Sequence, residues 1–270
     1  MPISVSQVLQ SQQKAPPRAP LPPSLLIAGA AGALGSEVAH QLVGAHVWRP
    51  VTLLTREPMR AGLGGLRLCN VATWPALTGG GDAPAWPPQP ADVAVIMFEP
   101  PRPWHERERA LWTPTPAELP ALARWLRASG VRRLAVVVPH APGRLPDALQ
   151  HGLANLDEAA VAQLDFDCLL WLRAADARAG VASAGSLPQR LAAWMLGVTR
   201  HMLPDAQRPL RPASLAQVLQ LALRVAPPGV HVLGPELLHA AARQPEPGPW
   251  LRLALGGQGT IGAAASAPRP

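Results

Sequence analysis

Three glycines at equal spacing, Gly29, Gly32 and Gly35, sit in SLLIAGAAGALGSEVAHQLV (residues 24–43) between an apolar run and a helical pattern. Small residues at such a turn let backbone N–H groups approach an anion at the positive end of the helix, and the last glycine lets the helix pack closely on the strand. The chemistry this suits is the holding of a pyrophosphate, with the small residues Gly29, Ala31, Gly32 and Gly35 around it. The spacing is G-x-x-G-x-x-G rather than G-x-G-x-x-G. A second apolar run ends in Thr55-Arg56, 21 residues beyond Gly35. An acidic residue there would bond a ribose 2′-hydroxyl and select NAD, whereas an arginine pairs with a 2′-phosphate. Arg56 therefore points to NADP, with NAD as the alternative that the adjacent Glu57 favours.

Other chemistries find little support. No G-x-x-x-x-G-K-[ST], H-E-x-x-H or C-x-x-C occurs, so neither a P-loop nor a familiar zinc site is expected, and no metal is assigned. Cys69 and Cys168 lie 99 residues apart in strand-like runs and read as small buried hydrophobes. Asp157 and Glu158 are adjacent, point to different sides of a helix, and read as favourable charges in its first turns. The run His105-Glu106-Arg107-Glu108-Arg109 reads as a solvated loop or short helix.

These residues need a scaffold, and the pattern of apolar runs supplies one. Leu25–Ala28, Val51–Thr55, Leu66–Val71, Val93–Phe98, Leu134–Val138 and Cys168–Leu172 read as strands separated by helical patterns. That alternation predicts an α/β fold: a doubly wound, Rossmann-like parallel sheet with a small C-terminal helical subregion. The expected folded body is 24–243, of which 186–241 forms the subregion on the substrate side. Residues 1–23 and 244–270 are rich in proline and read as disordered tails. Two proline- and glycine-rich insertions, 73–90 and 99–116, fall near the carboxyl ends of strands, where open α/β sheets bind ligands. They carry Trp74, Trp86, Trp104 and Trp112, which either line a pocket for a flat apolar ligand or pin the loops to the sheet.

Composition narrows the partners. The net charge is +7, Lys14 is the only lysine, and the arginines are scattered without a basic run, so no nucleic-acid face is expected. No apolar stretch reaches the length that spans a bilayer, and the amino-terminal residues lack a signal-like apolar core, so a cytoplasmic protein without a membrane partner is expected. Trp194, on an amphipathic pattern, reads as packing or as a homo-oligomer contact.

The assembled residues resemble the atypical, NAD(P)-binding branch of the short-chain dehydrogenase/reductase superfamily, including its NmrA-like and Tat-interacting-protein-like members. The resemblance covers roughly residues 24–235. It rests on the GAAGALG turn, TRE after the second strand, Cys69-Asn70-Val71, ASGVRRLAVVVPH, LDEAAVAQLDFDCLLWLRAA and RPLRPASLAQVLQLAL. It implies that Gly29, Gly32 and Gly35 hold the pyrophosphate of NADP, that Leu34 lies over it, that Arg56 meets the 2′-phosphate, and that Asn70 lies near adenine. Catalytic members use a Tyr with a Lys four residues later. This chain has no tyrosine, which excludes that mechanism. His140, at a strand end, and His151, four residues before Asn155, are the candidates for moving a proton in its place. Two expectations follow: an NADPH-dependent oxidoreductase acting on a small apolar or aromatic substrate, or a noncatalytic dinucleotide-binding redox sensor or assembly partner.

Overall fold

A computed structural model describes residues 21–77, 86–140, 156–175 and 209–257. Seven strands form one sheet: β1 (Leu25–Ala28), β2 (Val51–Thr55), β3 (Leu66–Asn70), β4 (Val93–Met97), β5 (Arg133–His140), β6 (Cys168–Ala175) and β7 (Gly229–Leu233). Their order is β3-β2-β1-β4-β5-β6-β7, and every pairing is parallel. A parallel sheet is covered on both faces, and the strands show it: all residues of β1 and β4 are buried. The chain leaves β1 toward β2 and β3, then returns to place β4 on the other side of β1. The order therefore reverses between β1 and β4, where an open α/β sheet opens a crevice at the carboxyl ends of its strands. This is a Rossmann-like fold.

Two cores flank the sheet. On one face α1 (Gly32–Gly44) packs against α5 (Pro212–Val225), with α6 (Pro235–Arg243) and α7 (Pro247–Gly256) beside them. Helix α5 buries Leu215, Val218, Leu219, Ala222 and Leu223, the three-and-four spacing that puts one apolar stripe on the sheet. The other face carries α3 (Leu119–Ala128) and α4 (Leu156–Ala162), which bury Leu122, Trp125, Leu126 and Val161 with the β-strand residues Leu26, Ile96, Val136 and Trp171. A single-turn helix α2 (Glu106–Arg109) lies in the loop after β4.

The six strands expected from sequence appear with their ends shifted by at most three residues. The carboxyl-terminal part differs more. Besides α5 and α6 it supplies β7, which extends the main sheet alongside β6. Five residues with a histidine in the middle, GVHVL, offer a weak strand signal until β6 is there to pair with. The folded body also runs past residue 243, because α7 buries Leu251 and Leu255. Its Pro247 and Pro249 fall in the first turn, where backbone N–H groups have no helical partner and proline costs nothing. A proline-rich composition thus marked a helix start rather than a tail. Residues 1–20, 176–208 and 258–270, with Trp194 and most of the amino-terminal tail, lie outside the described residues. No helix among the described residues is long and apolar enough to cross a membrane.

Candidate functional site at the glycine turn

The glycine turn sits at the reversal point, and its geometry explains each glycine separately. Gly29 has φ +84°, and a Cβ there would lie 1.9 Å from the carbonyl oxygen of Met97, so β1 and β4 approach too closely for any side chain. A Cβ at Gly35 would lie 2.6 Å from the Gly29 carbonyl oxygen, where α1 packs on its own turn. Gly32, at φ +77°, is different: its Cβ would lie 2.4 Å from Cδ of Glu99, a side chain.

That side chain is one of two carboxylates on the turn. Helix α1 starts after Ala31, which is extended and offers no capping side chain, and its first turn contains no acidic residue. Its unpaired N–H groups would be left without partners. The loop after β4 supplies them. The Leu34 amide donates to Oε2 of Glu99 at 2.7 Å, and the Gly32 amide donates to Oε2 of Glu108 at 3.1 Å. Ser36 Oγ donates to Oε1 of Glu108 at 3.3 Å. Negative charge at a helix amino end is favourable, so both carboxylates complement the helix.

Glu108 is in turn held by Arg102. The Arg102 backbone amide donates to Oε2 at 2.9 Å, Nε donates to Oε1 at 2.7 Å, and the guanidinium adds a second contact through an Nη nitrogen. Burial pushes the Glu108 carboxyl up, but the Arg102 side chain and the amides of Arg102 and Gly32 together outweigh it and bring the group down to about 2. Glu108 is therefore an ionised, buried carboxylate rather than part of a solvated run, which corrects the expectation for residues 105–109. The helix itself, α2, is present.

The same loop crosses the carboxyl ends of β1 and β2. The Arg56 amide donates to the Ala110 carbonyl at 2.6 Å, the Trp112 amide to Leu54 at 3.0 Å, and the Gly29 amide to Trp112 at 3.1 Å, with an antiparallel bridge between Thr55 and Leu111. Trp112 then joins Trp74, Trp86 and Trp125 in a cluster of edge-on rings, with centroids 4.8 to 6.0 Å apart. Indole N–H groups of Trp86 and Trp125 donate to the carbonyls of Pro75 and Pro87, so these rings pin both insertions to α3 and the sheet. Trp104 stands apart, 92% exposed.

The residues singled out by sequence fall in three places. Gly29, Ala31, Gly32, Leu34 and Gly35 form the turn. Arg56, exposed at the end of β2, and Asn70, its neighbour at the end of β3, lie on the adjoining rim. Arg56 there faces a cavity of about 280 Å³ shared with Val71, Ala72 and Trp74. Asn70 Oδ1 accepts the Ala72 amide at 2.9 Å, closing a local turn. His140 ends β5 opposite Ala175, on the far side of β4. His151 and Asn155 lie outside the described residues. Sequence reading missed Glu99 and Glu108. The only signal for Glu99 was a carboxylate two residues after the strand that pairs with β1, and Glu108 was hidden in an alternating charge run.

Beyond the turn, at the carboxyl ends of β4, β5 and β6, lies a cavity of about 360 Å³ walled by Leu34, Phe98, Glu99, Pro139, Ala175 and Leu215, among others. Glu99 is the one titratable side chain among its described walls. The wall is otherwise apolar and suits an apolar or aromatic group.

The backbone of the turn fits a diphosphate: glycines at positive φ expose amides at the start of α1, beside the reversal point. The amides it would use, Gly32 and Leu34, are at present bonded to carboxylates. A diphosphate and these carboxylates cannot share them.

No protein-family model matches the chain, and no curated protein matches it. Among solved structures, the chain is similar to the enzyme WbmH of Bordetella bronchiseptica in complex with NAD+, at 12% identity over 83% of this chain and 82% of that one, with a TM-score of 0.40. It is also similar to a nucleoside-diphosphate-sugar epimerase from Staphylococcus aureus, at 12% identity over 87% and 88%, with a TM-score of 0.41. A third is a short-chain dehydrogenase/reductase superfamily protein from Agrobacterium tumefaciens with bound NAD, at 16% identity over 81% and 82%, with a TM-score of 0.38. At these identities and scores the likeness assigns no activity, cofactor or substrate to this chain.

Proposed function

We propose that this protein binds a nicotinamide dinucleotide, NADP(H) in preference to NAD(H), over the turn Gly29–Gly35, and works as an NADPH-dependent oxidoreductase on a small apolar or aromatic substrate held in the adjoining cavity. The observation that carries the reading is the position of the turn: a helix amino end with small residues, at the reversal between β1 and β4, opening onto an apolar cavity. Arg56 supports the choice of NADP, because an exposed guanidinium at the end of β2 is available for a 2′-phosphate. When bound, the cofactor would supply hydride chemistry. The chain's own residues would hold the diphosphate (Gly29, Ala31, Gly32, Gly35), cover it (Leu34) and exclude water with the walls of the cavity.

A second reading, a noncatalytic dinucleotide-binding sensor or assembly partner, is favoured by two facts. The sequence has no tyrosine, and the described cavity wall offers no acid or base except Glu99. His140 and His151 remain the proton-moving candidates of the first reading.

Titration of NADPH and NADH against tryptophan fluorescence tests the shared part, with Gly32→Asp and Arg56→Glu alongside the wild type. Saturable NADPH binding, abolished in Gly32→Asp and weakened at least tenfold in Arg56→Glu with NADH little changed, is expected. No saturation by either nucleotide, in the wild type or in the unlocked variants described below, would sink both readings. Stoichiometric reduction of an added metabolite by NADPH separates the oxidoreductase from the sensor.

A further inference from the structure

We infer that Glu99 and Glu108 form an internal anion lock on the glycine turn, occupying the amides that a diphosphate would use, so that nucleotide enters only by displacing the segment 99–112. This rests on reading the turn as a diphosphate cradle. Three independent features of the structure converge on it. The two amides at the start of α1 are each bonded to a carboxylate oxygen, from side chains 65 and 76 residues away in sequence. The space directly over Gly32 is filled by the Glu99 side chain, whereas Gly29 and Gly35 are required by backbone packing alone. The backbone of residues 110–112 lies across the ends of β1 and β2, taking the Gly29 and Arg56 amides.

The two halves of the lock differ in how firmly they are held. Glu99 is half-buried, makes its contact to the Leu34 amide, and also walls the apolar cavity. Glu108 is buried and carries Arg102, Gly32 and Ser36. Glu99 is thus the latch that a ligand in the cavity can move, and Glu108 the anchor. Two carboxylates at a phosphate site also repel the phosphate, so the lock lowers affinity through charge as well as by filling space. Arg102, released when Glu108 leaves, would become an available cation beside the incoming diphosphate.

The test uses the whole chain with inorganic pyrophosphate and NADPH as separate probes, in the wild type, Glu99→Ala and Glu99→Ala/Glu108→Gln. Calorimetric titration is expected to show pyrophosphate binding at least tenfold tighter in the double variant than in the wild type, with Glu99→Ala between them. Without ligand, hydrogen exchange at the Gly32 and Leu34 amides should be faster in the double variant, and pyrophosphate should slow it again. Equal pyrophosphate affinity in wild type and variants overturns the lock while leaving dinucleotide binding to stand on the NADPH titration. Gain of pyrophosphate binding without NADPH binding in any protein keeps the lock and overturns the dinucleotide reading. Pyrophosphate that binds none of the three overturns the lock. If Glu108→Gln prevents folding, Glu99→Ala alone decides, because its side chain carries a single described hydrogen bond.

Discussion

Two glutamates sit in the first turns of two short helices and end in opposite roles. Glu158, in α4, is buried against Arg173 of β6 at 3.0 Å, with side-chain exposures of 4% and 2%. Glu108, in α2, is just as buried at 7%, but its partner Arg102 is 38% exposed, and the rest of its contacts go to a backbone amide of α1 and a hydroxyl. Alternation along β6 turns Arg173 to the face opposite Leu170 and Leu172, under α4 and away from the apolar cavity. The difference lies in what each carboxylate leaves behind. Withdrawing Glu158 takes a carboxylate away from a guanidinium that is itself inside the core. Withdrawing Glu108 leaves an arginine that can turn to water and helix amides that another anion can take. A buried pair of the first kind is structural, and one of the second kind is replaceable.

The largest test of that contrast is Glu158→Ala, which should cost about 3–5 kcal/mol by urea denaturation, the usual penalty for removing one partner of a buried ion pair. Replacing both partners, Glu158→Leu with Arg173→Met, should recover most of that loss, because apolar groups of similar size need no partner. A single-variant loss below about 1 kcal/mol would place Glu158 with the surface pairs and remove the distinction.

Acid separates the pairs on a second axis. The Glu108 carboxyl is held down at about 2, below the ordinary carboxylate range near 4.5. A depressed folded-state value means that the ionised group stabilises the fold fully above the unfolded value, and that this contribution is lost as pH falls from about 4.5 through about 2. Wild-type stability should therefore decline across that window. Glu108→Gln, which cannot titrate, should start lower at pH 7 and show a shallower decline, measured as urea midpoints from pH 7 to 2. Parallel declines in the two proteins would mean that other carboxylates carry the acid sensitivity.

The contrast also shows what could be read from the sequence. The sheet was legible because its central strands are buried on both faces, so β1 and β4 announce themselves as unbroken apolar runs. β7 was not, since its five residues gain strand character from β6. The glycine turn was legible as a motif but ambiguous as a site. Gly29 and Gly35 are demanded by the Met97 and Gly29 carbonyls, contacts of the fold itself, so their spacing alone does not require a ligand. Glu99 and Glu108 were illegible for a simpler reason: a carboxylate capping a helix 65 to 76 residues earlier in the chain leaves no local pattern. Glu158, read as a helix-end charge, was correctly placed in the first turn, but its burial depends on Arg173 arriving from β6.

The smallest expected effect tests how loosely Glu108 is held at its turn side. Ser36 donates to Glu108 at 3.3 Å, the longest of that carboxylate's hydrogen bonds, and Ser36 lies inside α1. Ser36→Ala removes a charge-assisted hydrogen bond, worth about 1.5–3 kcal/mol when well aligned and less at this length. Alanine in a helix interior returns about 0.5 kcal/mol through its better propensity. The return offsets part of the loss, so thermal and urea stability should fall by about 1 kcal/mol or less. A loss above about 1.5 kcal/mol would show that the hydroxyl, rather than Arg102, fixes Glu108. Glu108 would then be anchored to α1 itself, and a diphosphate arriving at Gly32 would have to break into the helix rather than exchange one anion for another.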